Sequence, residues 1–129
     1  MAPTIQIITL GLGHAPAPDT DLPLIDMRPY LDPHIDPSMR QRTALDQDVV
    51  DHVLTTPGVR ERLDRAVADI INYATGPGRS QNTVTVATAC TGGRHRAPAA
   101  GMRIAALLLN RGWTVDLHHR DLDQPVIER

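Results

Sequence analysis

The chain has no lysine and no phenylalanine, a single cysteine, and only 2% aromatic residues among its 129 positions. Each absence removes a class of function. Without lysine no Schiff base can form, which excludes pyridoxal-phosphate and lysine-aldolase chemistry. A Walker A loop would lack its lysine, so self-sufficient P-loop ATP hydrolysis is excluded as well. Cys90 alone permits neither an internal disulfide nor a multi-thiolate metal site; it suits a reducing cytosol, or a nucleophile. Trp113, Tyr30 and Tyr73 are too few to stack along a single-stranded nucleic acid. The N-terminal apolar run has no positive segment before it, so a signal peptide is not expected, and no stretch reaches the roughly 18 apolar residues of a membrane span. A net charge of −2 argues against tight non-specific DNA binding. These exclusions leave a cytoplasmic protein as the expectation. At 129 residues the chain predicts one domain, 1–129, large enough to bury its own core.

What is present is patterned. Ile5 to Leu10 is β-branched, ends at Gly11-Leu12-Gly13, and predicts a strand. Leu22 to Met27 is a second short apolar run. Pro29, Pro33 and Pro37 then exclude regular structure to about Met39. Asp46 is placed to N-cap a helix that Pro57-Gly58 ends. Val59, Leu63, Ala66, Val67, Ile70, Ile71 and Ala74 then fall on one face of a longer helix, stopped by Gly76-Pro77-Gly78. Thr83 to Ala89 reads as a strand and Pro98 to Asn110 as a buried helix with proline in its first turn. Trp113 to Arg120 alternates as a last strand, followed by a polar tail from Asp121. The order β-β-α-α-β-α-β predicts an α/β sandwich with a largely parallel sheet, its strand–phosphate loop–helix unit at 83–110, and ligands at the carboxyl ends of the strands.

The chemistry concentrates in Cys90-Thr91-Gly92-Gly93-Arg94-His95-Arg96, between the third strand and the third helix. Amides of such a loop converge on the positive end of the following helix. Gly92 and Gly93 permit a close turn, Arg96 offers a bidentate anion clamp, and Arg94 and His95 add cationic capacity. The loop reads as a cradle for an anion, best a phosphate; the plain alternative is a tight glycine turn with an inert thiol and surface arginines. The Cys-x-x-Gly-x-x-Arg spacing also resembles the signature of cysteine-dependent phosphatases. In those enzymes a thiolate attacks phosphorus, the arginine binds its oxygens, and an acid, here Asp26 or Asp32, protonates the leaving group. The chain departs from that signature at Ala89, where a histidine is usual, and at Ala97, where a hydroxyl is usual.

Asp26-Met27-Arg28 and Asp32-Pro33-His34 follow the second strand, where a second wall of the site would form. His34 is a candidate donor to a ligand oxygen and Arg28 a second anion contact; a solvated Asp/Pro turn is the competing reading. In His118-His119-Arg120, alternation puts His119 on the face of Trp113, Val115 and Leu117. The histidine and carboxylate spacings fit no metal motif, and no cofactor is called for.

Together the Cys90–Arg96 run, Asp26-Met27-Arg28 with Asp32-Pro33-His34, Thr43-Ala44-Leu45-Asp46 and His119-Arg120 resemble, in order and spacing from about Ile5 to Asp121, the C-terminal domain of the RapZ RNase adapter family. The usual N-terminal P-loop domain of that family has no counterpart in these residues, so the chain resembles the C-terminal domain standing alone. The resemblance implies a sugar-phosphate-binding fold that senses glucosamine-6-phosphate. The phosphate would then rest on Thr91, Gly92, Gly93 and Arg96 with His95 near it. Asp26, Arg28, His34 and His119 would be candidates for contacts to the sugar or the second wall, and Cys90 would line the pocket and need not react. It further implies a regulated protein partner, a separate P-loop protein among the candidates, and self-association. RNA binding in the family is attributed to a basic tail; from Asp121 this chain has three acidic side chains against one arginine, which disfavours that role. The leading expectation is a regulatory binding domain for a phosphorylated small molecule, and not an enzyme. A phosphatase using Cys90, Arg96 and Asp26, and an RNA-binding adapter, are the alternatives.

Overall fold

The structure, a computed structural model, describes residues 1–128. Its elements are β1 (Thr4–Gly11), β2 (Ile25–Asp26), a 3₁₀ turn (Pro33–Ile35), α1 (Gln47–Thr55), α2 (Val59–Thr75), β3 (Thr83–Cys90), α3 (Arg96–Asn110) and β4 (Val115–His119). All pairings are parallel and the strand order is β2-β3-β1-β4. The expected α/β class and element order are therefore correct. β1 runs beside β3 from Thr4↔Thr83 to Gly11↔Cys90, and beside β4 from Ile5↔Val115 to Thr9↔His119.

Several details differ from expectation, β4 for one being confined to Val115–His119 of the expected Trp113–Arg120. β2 covers only Ile25–Asp26, opposite Thr88 and Ala89, because Pro23 just before it has no N–H to give a ladder. α3 starts at Arg96, two residues before Pro98; the proline still falls in the first turn, whose amides have no intrahelical acceptor. Asp46 takes the N-cap position of α1 with extended backbone, but its carboxylate turns to Arg42 Nε at 3.0 Å instead of capping.

One face of the sheet carries Ile5, Ile7, Val84 and Val86 into a core shared with Val49, Val53, Leu63, Ile70, Ile104 and Leu108 of the three helices. α3 lies directly on β1, β3 and β4, and α1 and α2 pack on α3. The contact requires glycine at 101, since a Cβ there would come within 2.4 Å of Thr9 Cγ2. Parallel sheets are normally covered by helices on both sides. Here Leu10, Ala87 and Ala89 on the reverse face are covered by Leu12, Ala17 and Leu24 of the loop after β1. The connections that follow the four strand ends thus gather at one edge of the sheet, around residues 91–95. Among the described residues no helix is long and apolar enough to cross a membrane.

Candidate functional site

β3 delivers Cys90 to the end of the sheet, and the chain turns through 91–95 into α3. The turn depends on Gly93, whose φ is +75° and where a Cβ would sit 2.8 Å from both Gly11 N and Asp121 Cβ. The Cys90 sulfur lies beneath the turn, 3% exposed and part of the apolar core, and accepts the amides of Gly93 and Ala97, each at 3.3 Å. The amides of Gly92, Arg94 and His95 bond to nothing among the described residues. They form a set of unused donors just before α3.

Arg96 is 4% exposed. Its NH1 donates to the carbonyls of Arg28 at 2.9 Å and Tyr30 at 3.0 Å, with Met27 O at 3.4 Å. Its NH2 donates to Asp32 Oδ2 at 3.0 Å. Asp32 also accepts the His34 amide, which caps the 3₁₀ turn. The guanidinium therefore builds the second wall of the site. Its Nε remains buried with no partner.

His95 is buried, and its Nε2 stands 2.9 Å from the Met39 carbonyl, to which only a protonated nitrogen can donate. Burial pushes its pKa below the ordinary 6.5, and bonds to the Met39 and Arg42 backbone offset part of that effect. His95 thus pins the 39–42 segment and does not present its ring to the groove. Arg94 donates to the carbonyls of Gln41 and Gln124, while its own carbonyl accepts the Ala44 amide. The loop that sequence reading treats as a cradle is also the hub to which three neighbouring segments are tied.

Beside it runs an open groove of about 670 Å³ whose lining includes Arg28, Tyr30, Asp32, His34, Thr91 and Arg96. Arg28, His34, Thr91 and Arg96, expected to share a site, are brought together there. Asp26 is occupied by Arg28, accepting its Nε at 3.0 Å and NH2 at 2.8 Å. The side-chain bond from Arg28 holds the Asp26 carboxyl below its usual range, against the opposing effect of burial. His119 lies apart: β4 flanks β1 on the side away from β3, and its Nδ1 is 2.7 Å from Thr9 Oγ1. Burial, and secondarily His118, lower its pKa. Among the described residues no group of three histidine, cysteine or carboxylate side chains could hold a metal ion.

Sequence reading missed Asp121. It sits where a polar tail was expected, yet Asp121 and Leu122 are buried, at 4% and 7% exposure. The Asp121 carboxylate accepts the Gly11 amide and Arg120 NH2, both at 2.7 Å. Burial alone would raise its pKa, but the Arg120 and Gly11 bonds outweigh that and hold it low. Arg120 also reaches the carbonyls of Ala15 and Pro16, fixing the loop after β1. The available signal was an acid immediately following a strand that ends at the ligand edge of a parallel sheet.

The chain is 34% identical to a nucleotide-binding protein of Sphingopyxis alaskensis, over 94% of its own length and 38% of the relative's. It is 34% identical to one of Thermus thermophilus, over 93% and 43%, and 37% identical to one of Streptomyces coelicolor, over 90% and 39%. The chain thus spans about two-fifths of the length of the curated relatives it matches. The model of the RapZ C-terminal domain matches residues 3–123. With nearly the whole chain matched, and the Cys90–Arg96 loop at the carboxyl edge of its sheet, this protein belongs to the RapZ C-terminal domain family.

Proposed function

We propose that the chain binds the phosphate group of a phosphorylated small molecule, a phosphosugar such as glucosamine-6-phosphate being the leading candidate. One observation carries the reading: Arg96 Nε is buried without a partner beside a turn whose Gly92, Arg94 and His95 amides are also unused. A buried donor left unpaired costs about 1–3 kcal/mol, and an anion in the loop would satisfy it. Thr91, Gly92, Gly93 and Arg96 contact the phosphate in this reading, with Arg28 and His34 reaching the rest of the ligand along the groove. Asp26 orients Arg28, while His119 and His95 support the sheet end and the turn. A domain that binds without converting its ligand acts by reporting it to a protein partner.

The burial of Cys90 favours binding over phosphoryl transfer. A nucleophile needs an in-line approach to phosphorus, and this sulfur sits below the turn in the core. Phosphorus-31 NMR of glucosamine-6-phosphate with the protein, followed for hours, tests the reading. A broadened or shifted sugar-phosphate line without inorganic phosphate is expected, and it should persist in Cys90→Ser. Growth of an inorganic phosphate line that Cys90→Ser abolishes would make the chain a phosphatase. An unperturbed spectrum would remove this ligand.

A further inference from the structure

The segment after β4 has a firm root and a lightly held end. Asp121 and Leu122 are buried, whereas Asp123, Gln124, Pro125 and Glu128 are exposed and residues 125–128 have no regular structure. Among the described residues it meets the site at the following points. The Gln124 carbonyl accepts Arg94 NH1 at 3.0 Å. Ile127 Cδ1 lies over Gly13, so close that a Cβ at 13 would be 2.5 Å away, and the same point is 3.0 Å from Thr91 O. Val126 and Glu128 line a groove of about 480 Å³ with His34, Ile35, Arg40 and Gln41. That groove shares His34 and Ile35 with the groove beside Thr91 and Arg96.

We propose that residues 123–128 are a size-selecting strap: they fill the space next to the phosphate loop that the distal part of a larger ligand would need. The inference rests on the phosphate-binding reading above. A compact phosphate ester fits under the strap, whereas a bulkier one must displace it. Glu128 further disfavours a distal group that carries negative charge. With no regular structure over 125–128 and exposed residues at 123, 124, 125 and 128, the strap stands at the low-stability end of the fold, so displacement is inexpensive but not free. The strap thus sets specificity through differential affinity and leaves the phosphate contacts alone.

The test compares inorganic phosphate with adenosine monophosphate, by calorimetric titration, on the intact chain, on Ile127→Ser, and on a chain ending at Asp123. Both variants should bind adenosine monophosphate about tenfold more tightly than the intact chain, with phosphate affinity unchanged within about twofold. Equal changes for both ligands would overturn the strap, because the segment would then be shaping the phosphate loop itself. No change for either ligand would overturn it too. Failure of every form to bind either ligand would defeat the phosphate-binding reading and the strap with it. Should the shortened chain fail to fold, Ile127→Ser separates the same outcomes by itself.

Discussion

Arg94 and Arg96 stand two residues apart on one turn, and each ties a neighbouring segment to it by donating to backbone carbonyls. They do so in different surroundings. Arg96 is 4% exposed and meets a turn that offers the Met27, Arg28 and Tyr30 carbonyls together with the Asp32 carboxylate. Arg94 is half-buried and meets the carbonyls of Gln41 and Gln124, with no carboxylate. A buried cation that loses its anion leaves an uncompensated charge, whereas a half-exposed one regains water. The wall at 26–35 is therefore a fixed part of the site, and the tail at 123–128 is an adjustable one.

The most severe way to break this contrast is Arg96→Ala. It takes a buried cation away from the half-buried Asp32 carboxylate and three carbonyls, and urea denaturation should show a loss of about 2–4 kcal/mol. Arg96→Lys should recover only part of that, because an ammonium is a point charge that cannot span the Asp32 carboxylate and the carbonyls at once. A loss below about 1 kcal/mol for the alanine variant would mean the wall holds itself in place, and the contrast with Arg94 would collapse.

The next variant acts on the turn that aims both arginines. Gly93→Ala places a Cβ at φ +75° and 2.8 Å from Gly11 N and Asp121 Cβ, neither of which is the end of a flexible chain. A cost of about 1–3 kcal/mol in urea denaturation is expected, with phosphate binding weakened alongside. Stability loss without loss of phosphate binding would separate the turn from the anion site.

The two arginines also mark how far the sequence could be read. Local signals located the pieces: the apolar spacing from Val59 to Ala74 matches α2, and the Thr83–Arg96 strand and turn lie where alternation and Gly92-Gly93 put them. The motif identified the loop, but the direction of each side chain did not follow from it. That Arg96 spends its NH1 on the second wall was not legible, because its partners there, three carbonyls some 66 to 69 positions away, are arranged by a turn that has no sequence period. His95 reads as a ligand contact for the same reason, since Met39 is 56 positions distant. Asp121 escaped notice because its burial is decided by a glycine amide 110 positions away. His119 fell on the expected face of its strand, but alternation fixes a face and not a distance across the sheet.

A smaller effect comes with pH. His95 and His119 both have folded pKa values below 6.5, each mainly through burial. The unfolded chain therefore takes up protons first as pH falls, and the stability present above about 6.5 is lost as pH falls through the folded values. Asp26 and Asp121, held below 3.8, add their own loss only at much lower pH. Urea midpoints measured from pH 7.5 to 5 should decline, and His95→Gln should flatten the decline by removing the group that titrates next to Arg94. A flat profile in the native chain would show that both rings charge freely in the folded state.

Arg94→Ala should have the smallest effect, and it tests the adjustable side. The bonds lost are to carbonyls that water can reach, so a stability change of about 0.5–1 kcal/mol is expected. The informative readout is local. Losing the bond to the Gln124 carbonyl should speed hydrogen exchange at the Gln124 amide, which donates to Asp121 O, while amides in the 27–35 wall, which Arg96 holds, exchange as before. Equal acceleration in both segments would mean that the turn transmits strain from one arginine to the other. The wall and the tail would then be one mechanical unit, and a ligand that displaced the tail would loosen its own binding wall.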